Sequence, residues 1–198
     1  MISRCVRPLF ILVLLFSLSG CGINAIPTLE EQAKANWAQV LNQYKRRTDL
    51  VPNLVAVVEG AADFERETLL AVVEARSQVG KMQLPDDILT NPGAFKAFEE
   101  NQSALSSALS RLLVVVERYP TLTATQGYIA LQSQLEGTEN RIAVARRDYI
   151  DAVRAYNTEL RTFPGRIWVA ILYGDAVPME NFSIEESETA VPKVTFGD

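Results

Sequence analysis

The residues best equipped for chemistry cluster at Glu136, Glu139, Asn140, Arg141, Arg146 and Arg147. Carboxylates three positions apart on a helix share a face, and facing pairs of that kind hold metal ions in helical bundles. Those centres also draw on a Glu-x-x-His pair, and this chain has no His at any position. The same absence removes Ser-His-Asp and Cys-His nucleophiles and every His-ligated zinc site. A carboxylate-only site for Mg²⁺, Ca²⁺ or Mn²⁺ would keep one alternative alive, a metal hydrolase or a small-ligand receptor using the bundle interior. No spacing marks a coordination sphere, however, and no metal or cofactor is expected. The competing reading makes the cluster a polar network that fixes helix alignment, with Glu139 and Arg141 level with Arg47 and Asn53 of the first helix. Pairs such as Arg147 with Asp151 and Asp151 with Arg154 read as ordinary surface ion pairs. With no Gly-rich phosphate loop, Ser-x-x-Lys or Cys-x-x-Cys, the chain reads as a non-enzyme.

Covalent chemistry is expected at one other place. Arg4 and Arg7 form a positive start, residues 9–18 are apolar apart from Ser17, and Leu18-Ser19-Gly20-Cys21 follows directly. That tetrapeptide matches the bacterial lipobox, so residues 1–20 read as a lipoprotein signal and Cys21 as the acylated amino terminus of the mature chain. Ten apolar residues fall short of the roughly 20 that span a bilayer, although an uncleaved single-pass segment remains the alternative. Cys5 would leave with the signal. Removing residues 1–20 takes away Arg4 and Arg7, leaving 17 basic and 24 acidic residues, a net charge of −7. A chain that acidic is unsuited to nucleic acid and repelled by anionic headgroups, so attachment falls to the acyl chains. The expected location is the periplasmic or exterior face of a membrane, with Gly22 after the Cys permitting outer-membrane delivery in a Gram-negative host.

Elements to carry these groups follow from apolar spacing. Residues 21–28 read as a tether, with Thr28 as N-cap of a helix starting near Leu29. Its seam is Trp37, Leu41, Tyr44, Thr48, Val51, Val55 and Val58, in one phase through Pro52, which predicts a kink rather than a break. Lys45-Arg46-Arg47 on that helix reads as a basic solvated turn beside a structural proline. A second helix is predicted from a cap at Asp63 to about Gly80, burying Phe64, Thr68, Val72, Ala75 and Val79. After a loop over residues 84–92, a third runs from Gly93 or Ala94 to Tyr119 with a seam of Phe95, Phe98, Gln102, Leu105, Leu109, Leu112, Val116 and Tyr119, and Pro120 as its stop signal. Thr123 and Gln126 have capping-box spacing for the fourth. Its seam is Tyr128, Leu131, Leu135, Thr138, Ile142, Ala145, Tyr149, Ala152, Tyr156, Leu160 and Phe163. The fold class expected is all-α: an elongated, antiparallel up-down-up-down four-helix bundle with long first and last helices, spanning residues 29–174. A short apolar helix over residues 166–174 closes it. There Ile167, Trp168, Leu172 and Tyr173 either plug the open end or contact the membrane. Residues 175–198, with six acids and one Lys, read as a disordered acidic tail.

Four blocks of this chain resemble the LemA family of bacterial envelope proteins. The most specific runs from Gln134 to Arg147, QLEGTENRIAVARR; the others are residues 43–55, residues 166–174 and the closing Pro192-Lys193-Val194-Thr195-Phe196. Together the resemblance covers residues 29–198. It implies a non-catalytic, lipid-anchored scaffold or interaction module of the cell envelope, some members being linked to membrane organisation. Neither an enzyme reaction nor a named partner comes with it. The partners expected are the membrane, through the amino-terminal lipid, an envelope protein of unspecified identity, and a second copy in a homo-oligomer.

Overall fold

The computed structural model describes residues 22–60 and 65–182, and those residues form six helices with no strand among them. They are α1 (Ala25–Glu59), α2 (Arg66–Lys81), α3 (Pro92–Val116), the single turn α4 (Pro120–Thr123), α5 (Gln126–Arg161) and α6 (Gly165–Ile171). The longest are α1 with 35 residues and α5 with 36, and a helix of that length extends about 54 Å. These two form the most extensive helix contact, and α2 packs on α3 and on α1. Contacts along their length show α1 and α5 running in opposite directions: Asn36 Nδ2 donates to the Asp148 carbonyl at 2.9 Å, while Arg47 reaches Glu139.

The buried faces follow the predicted spacing closely on α3 and α5. Phe95, Phe98, Gln102, Leu105, Leu109, Leu112 and Val116 are buried on α3; Tyr128, Leu135, Thr138, Ile142, Ala145, Tyr149, Ala152, Tyr156 and Leu160 are buried on α5. On α1 the buried stripe is Ala33, Trp37, Val40, Tyr44, Arg47, Val51, Leu54 and Val58, so its middle is rotated by one residue from the expected seam. Leu41, Thr48 and Val55 are only half-buried.

Several predicted boundaries are corrected. The tether is shorter than residues 21–28: α1 begins at Ala25 and Ile26 is fully buried, because Pro27 fits the first turn of a helix, where no backbone donor is needed. Asn91 caps α3 by accepting from Ala94 N at 3.1 Å, and Thr125, rather than Thr123, caps α5 by accepting from Tyr128 N at 3.3 Å. Pro120 does stop α3, which ends at Val116, and then starts α4 at its own first position. Phe163, placed on the α5 seam by spacing, is 81% exposed because the helix ends at Arg161. Asp63 and Phe64 fall outside the described residues.

One helix runs through Pro52. Proline has no N–H for the Thr48 carbonyl, and that orphan acceptor is taken up by Arg76 Nε of α2 at 3.2 Å. The proline therefore couples α1 to α2. Pro52→Ala would return the intrahelical donor and remove the ring clash, and we expect a stability gain of about 1–3 kcal/mol in thermal unfolding. Destabilisation in that measurement would show that the Arg76 contact depends on the proline.

The first part of the acidic segment is a correction too. Residues 175–182 are a strap packed against the helices, with Met179 and Phe182 buried. Asn157 holds Met179 at both ends, donating Nδ2 to its carbonyl and accepting its N–H through Oδ1, each at 2.9 Å. Glu180 N donates to the Leu89 carbonyl at 2.7 Å, and Tyr149 Oη donates to the Glu180 carbonyl at 2.8 Å. Charge counting misjudged the strap because two apolar anchors in extended chain carry no helical period. Phe182→Ala should cost about 2–3 kcal/mol in denaturant unfolding, whereas a free tail would lose nothing. The remainder of the tail, residues 183–198, lies outside the described residues, as do residues 1–21.

Candidate functional site

The three buried polar side chains among the described residues are Arg47, Gln102 and Thr138, one each from α1, α3 and α5. They lie between two apolar clusters. One joins Trp37, Phe95, Phe98, Tyr149 and Tyr156 with the strap; the other joins Val51, Val58, Val72, Leu105, Leu112 and Leu135. Arg47 is the centre of this layer at 1% exposure. Its Nη1 donates to Ser106 Oγ at 2.6 Å and to Glu139 Oε1 at 3.1 Å; its Nη2 donates to Gln102 Oε1 at 2.7 Å and to the Gln102 carbonyl at 3.1 Å. The guanidinium also sits 5.0 Å from the Tyr44 ring centroid. A planar fork of five donors can hold three helices at once in a way that an ammonium cannot. Nε finds no partner among the described residues.

Of the residues that spacing placed in this network, the structure brings together Arg47 and Glu139 and leaves the rest outside. Asn53, Asn140 and Arg141 are exposed. Glu136 is exposed and accepts from Gln132 Nε2 at 3.0 Å on its own helix, and exposed Arg147 lies 3.7 Å from its neighbour Asp148. Arg146 is half-buried with its guanidinium 4.3 Å from the Phe182 ring centroid, a cation–π contact that ties α5 to the strap. The basic solvated turn holds for Lys45 and Arg46, which are exposed, and fails for Arg47, which is on the buried stripe. Spacing did not assign Gln102 or Ser106 to the network. A polar residue on the otherwise apolar α3 seam was the available signal for Gln102.

On the Trp37 side of this layer the interior is aromatic. The Trp37 ring centroid lies 5.0 Å from Phe98, 5.3 Å from Tyr149 and 5.5 Å from Phe95. Burial pushes the phenols of Tyr44, Tyr128, Tyr149 and Tyr156 above their ordinary value, most strongly Tyr149. Among the described residues no group of three or more His, Cys, Asp or Glu is arranged to hold a metal ion. Among the described residues one concavity is an open, external groove of about 880 Å³ along α3. Ser103 and Ser107 line it, together with Glu99, Glu100, Arg146 and Glu180.

The model of the LemA family matches this chain over residues 36–196, from just before Trp37 into the carboxyl-terminal segment. The chain belongs to the LemA family. Curated relatives of this LemA protein include the magnetosome proteins MamQ 1 and MamQ 2 of Paramagnetospirillum magneticum, each 27% identical over 157 residues, covering 71% of this chain and 58% of the relative. The protein named LemA in Metamycoplasma hominis is 25% identical over 119 residues, covering 60% of this chain and 50% of the relative. The chain thus spans between half and three-fifths of the length of these relatives. Among its described residues no helix is long and apolar enough to cross a membrane.

Proposed function

We propose that this LemA protein is a lipid-anchored, non-catalytic interaction module. It stands on the periplasmic or exterior face of an envelope membrane, and α1, α2, α3 and α5 form one up-down-up-down bundle. Cys21 carries the lipid. The observation that carries the reading is where the polar groups are spent: the Arg47 fork is consumed between α1, α3 and α5, and the open space lies outside, in the α3 groove. Family membership supports it, and the MamQ relatives are named for the magnetosome, not for a reaction. The groove brings the exposed Ser103 and Ser107 hydroxyls together with Lys96, Arg146 and the carboxylates of Glu99, Glu100 and Glu180, a polar mixture suited to an extended protein segment.

The partner is accordingly another envelope protein at the same membrane. A photoreactive side chain at Ser103, activated in intact cells, should give one discrete adduct heavier than the chain. The same side chain at exposed Glu74 of α2, which does not line the groove, should give none. Adducts only within the chain itself, or equal adducts from both positions, would sink the proposed docking face.

A further inference from the structure

We infer that α6 is a membrane-seated cap: its outer face enters the headgroup layer of the bilayer and fixes the angle at which the rod stands. This deepens the proposed function and rests on it. The short helix has two faces with different occupants. Trp168, Val169 and Tyr173 pack against the core cluster at that end of the bundle, so the plugging role expected of the segment is filled by them. Ile167 and Ile171, one turn apart on the other side, are 44% and 67% exposed, and they are flanked by Leu172 at 53% and Phe163 at 81%. Four large apolar side chains in one ten-residue stretch, residues 163–172, thus face outward at one end of the molecule. Patches of this kind mark interaction surfaces when they are contiguous rather than scattered.

What covers the patch follows from where the chain enters the bundle. Gly22, with φ of +103°, sits against α6: a Cβ there would lie 3.3 Å from Pro164 Cγ and 3.8 Å from Trp168 Nε1. Tyr173 Oη donates to the Ile23 carbonyl at 2.9 Å, which fastens the entering chain to the cap. Cys21 is the very next residue, about 3.8 Å away Cα to Cα. If it bears acyl chains, the bilayer surface begins there. If residues 9–18 instead remain as an apolar membrane segment, Leu18 is four residues from Gly22, within about 14 Å of fully extended chain. Either attachment brings this end of the bundle to the headgroup layer. Exposed Arg161 and Arg166 beside the patch add cations suited to anionic phospholipid headgroups, at one end of a chain that is acidic as a whole. The occupant is therefore lipid, and the apolar side chains lie where a partly inserted interfacial helix would place them.

The test uses the full chain purified from membranes and reconstituted into phosphatidylethanolamine and phosphatidylglycerol vesicles, with a photoreactive side chain at Ile171, at Leu172 or, as a control, at Val114 of α3, which is 65% exposed. Vesicle flotation and the intact mass of the amino-terminal peptide are read on the same samples. The expected result is phospholipid adducts from positions 171 and 172 and none above background from position 114. Protein that floats without lipid adducts at 171 and 172 overturns the cap and leaves the anchor standing. Adducts at 171 and 172 with an unacylated Cys21 support the cap and overturn the lipid anchor. Protein that does not float overturns both.

Discussion

Arg47→Ala is expected to destabilise the protein by about 3–5 kcal/mol, the usual cost of removing one partner from a buried charged network. The substitution strands the Gln102 side-chain oxygen and the Ser106 hydroxyl and opens a cavity between α1, α3 and α5. Glu139 loses least, because its side chain is 44% exposed and can turn to water. That asymmetry sets a second expectation. Arg47→Met combined with Gln102→Leu should return stability to within about 1 kcal/mol of the original, since apolar groups of similar volume replace such layers at little cost. Arg47→Lys should fall between, lacking the fork that reaches two helices at once. Chemical denaturation of the three variants checks the set. An Arg47→Ala protein within about 1 kcal/mol of the original would show that the layer contributes nothing to stability.

Trp37→Ala should cost a comparable amount, about 3–5 kcal/mol, for a different reason. Trp37 is the hub of the aromatic cluster, in contact with Phe95 and Phe98 of α3, Tyr149 of α5 and Phe182 of the strap. Removing it leaves a void bounded by rigid rings from three separate segments, which collapse poorly. For a chain of this size the expected fall in Tm is about 6–20 °C. Trp37→Phe keeps most of the ring contacts and should lose far less. If Trp37→Ala proved as mild as Trp37→Phe, the cluster would have to be looser than its ring separations indicate.

Much of the fold was legible because α3 and α5 are amphipathic over many turns, so that misplacing one residue leaves the seam intact. The errors concentrate where periodicity is absent or interrupted. Ile26 lies ahead of the apparent cap at Thr28, and an apolar residue before a proline reads as a linker unless the proline is assigned to the first turn. Met179 and Glu180 fasten the extended chain through Asn157 and Leu89, partners about 20 and about 90 residues away, and no local pattern announces contacts of that range. Phe163 kept the α5 phase but fell beyond the last turn.

The polar layer was half legible. Glu139 was singled out together with Arg47, yet five neighbours of the same chemical types turned out to be exposed, Glu136, Asn140, Arg141, Arg147 and Asn53. The discriminating fact is angular. Arg47 stands three residues after Tyr44 and four before Val51, both buried, so it shares their face, whereas Lys45 and Arg46 do not. A polar or charged residue in phase with a buried stripe is the pattern that separates the centre of this layer from its solvated neighbours. Gln102 obeys the same rule on α3.

The attachment of the module to the membrane is tested most directly by metabolic labelling with an alkyne fatty acid, comparing the original protein with Cys21→Ala. The account predicts a labelled, membrane-fractionating original and a Cys21→Ala protein that carries no label and retains its leader, visible as a larger mass. Label that persists in Cys21→Ala, or an original that takes up none, would contradict it.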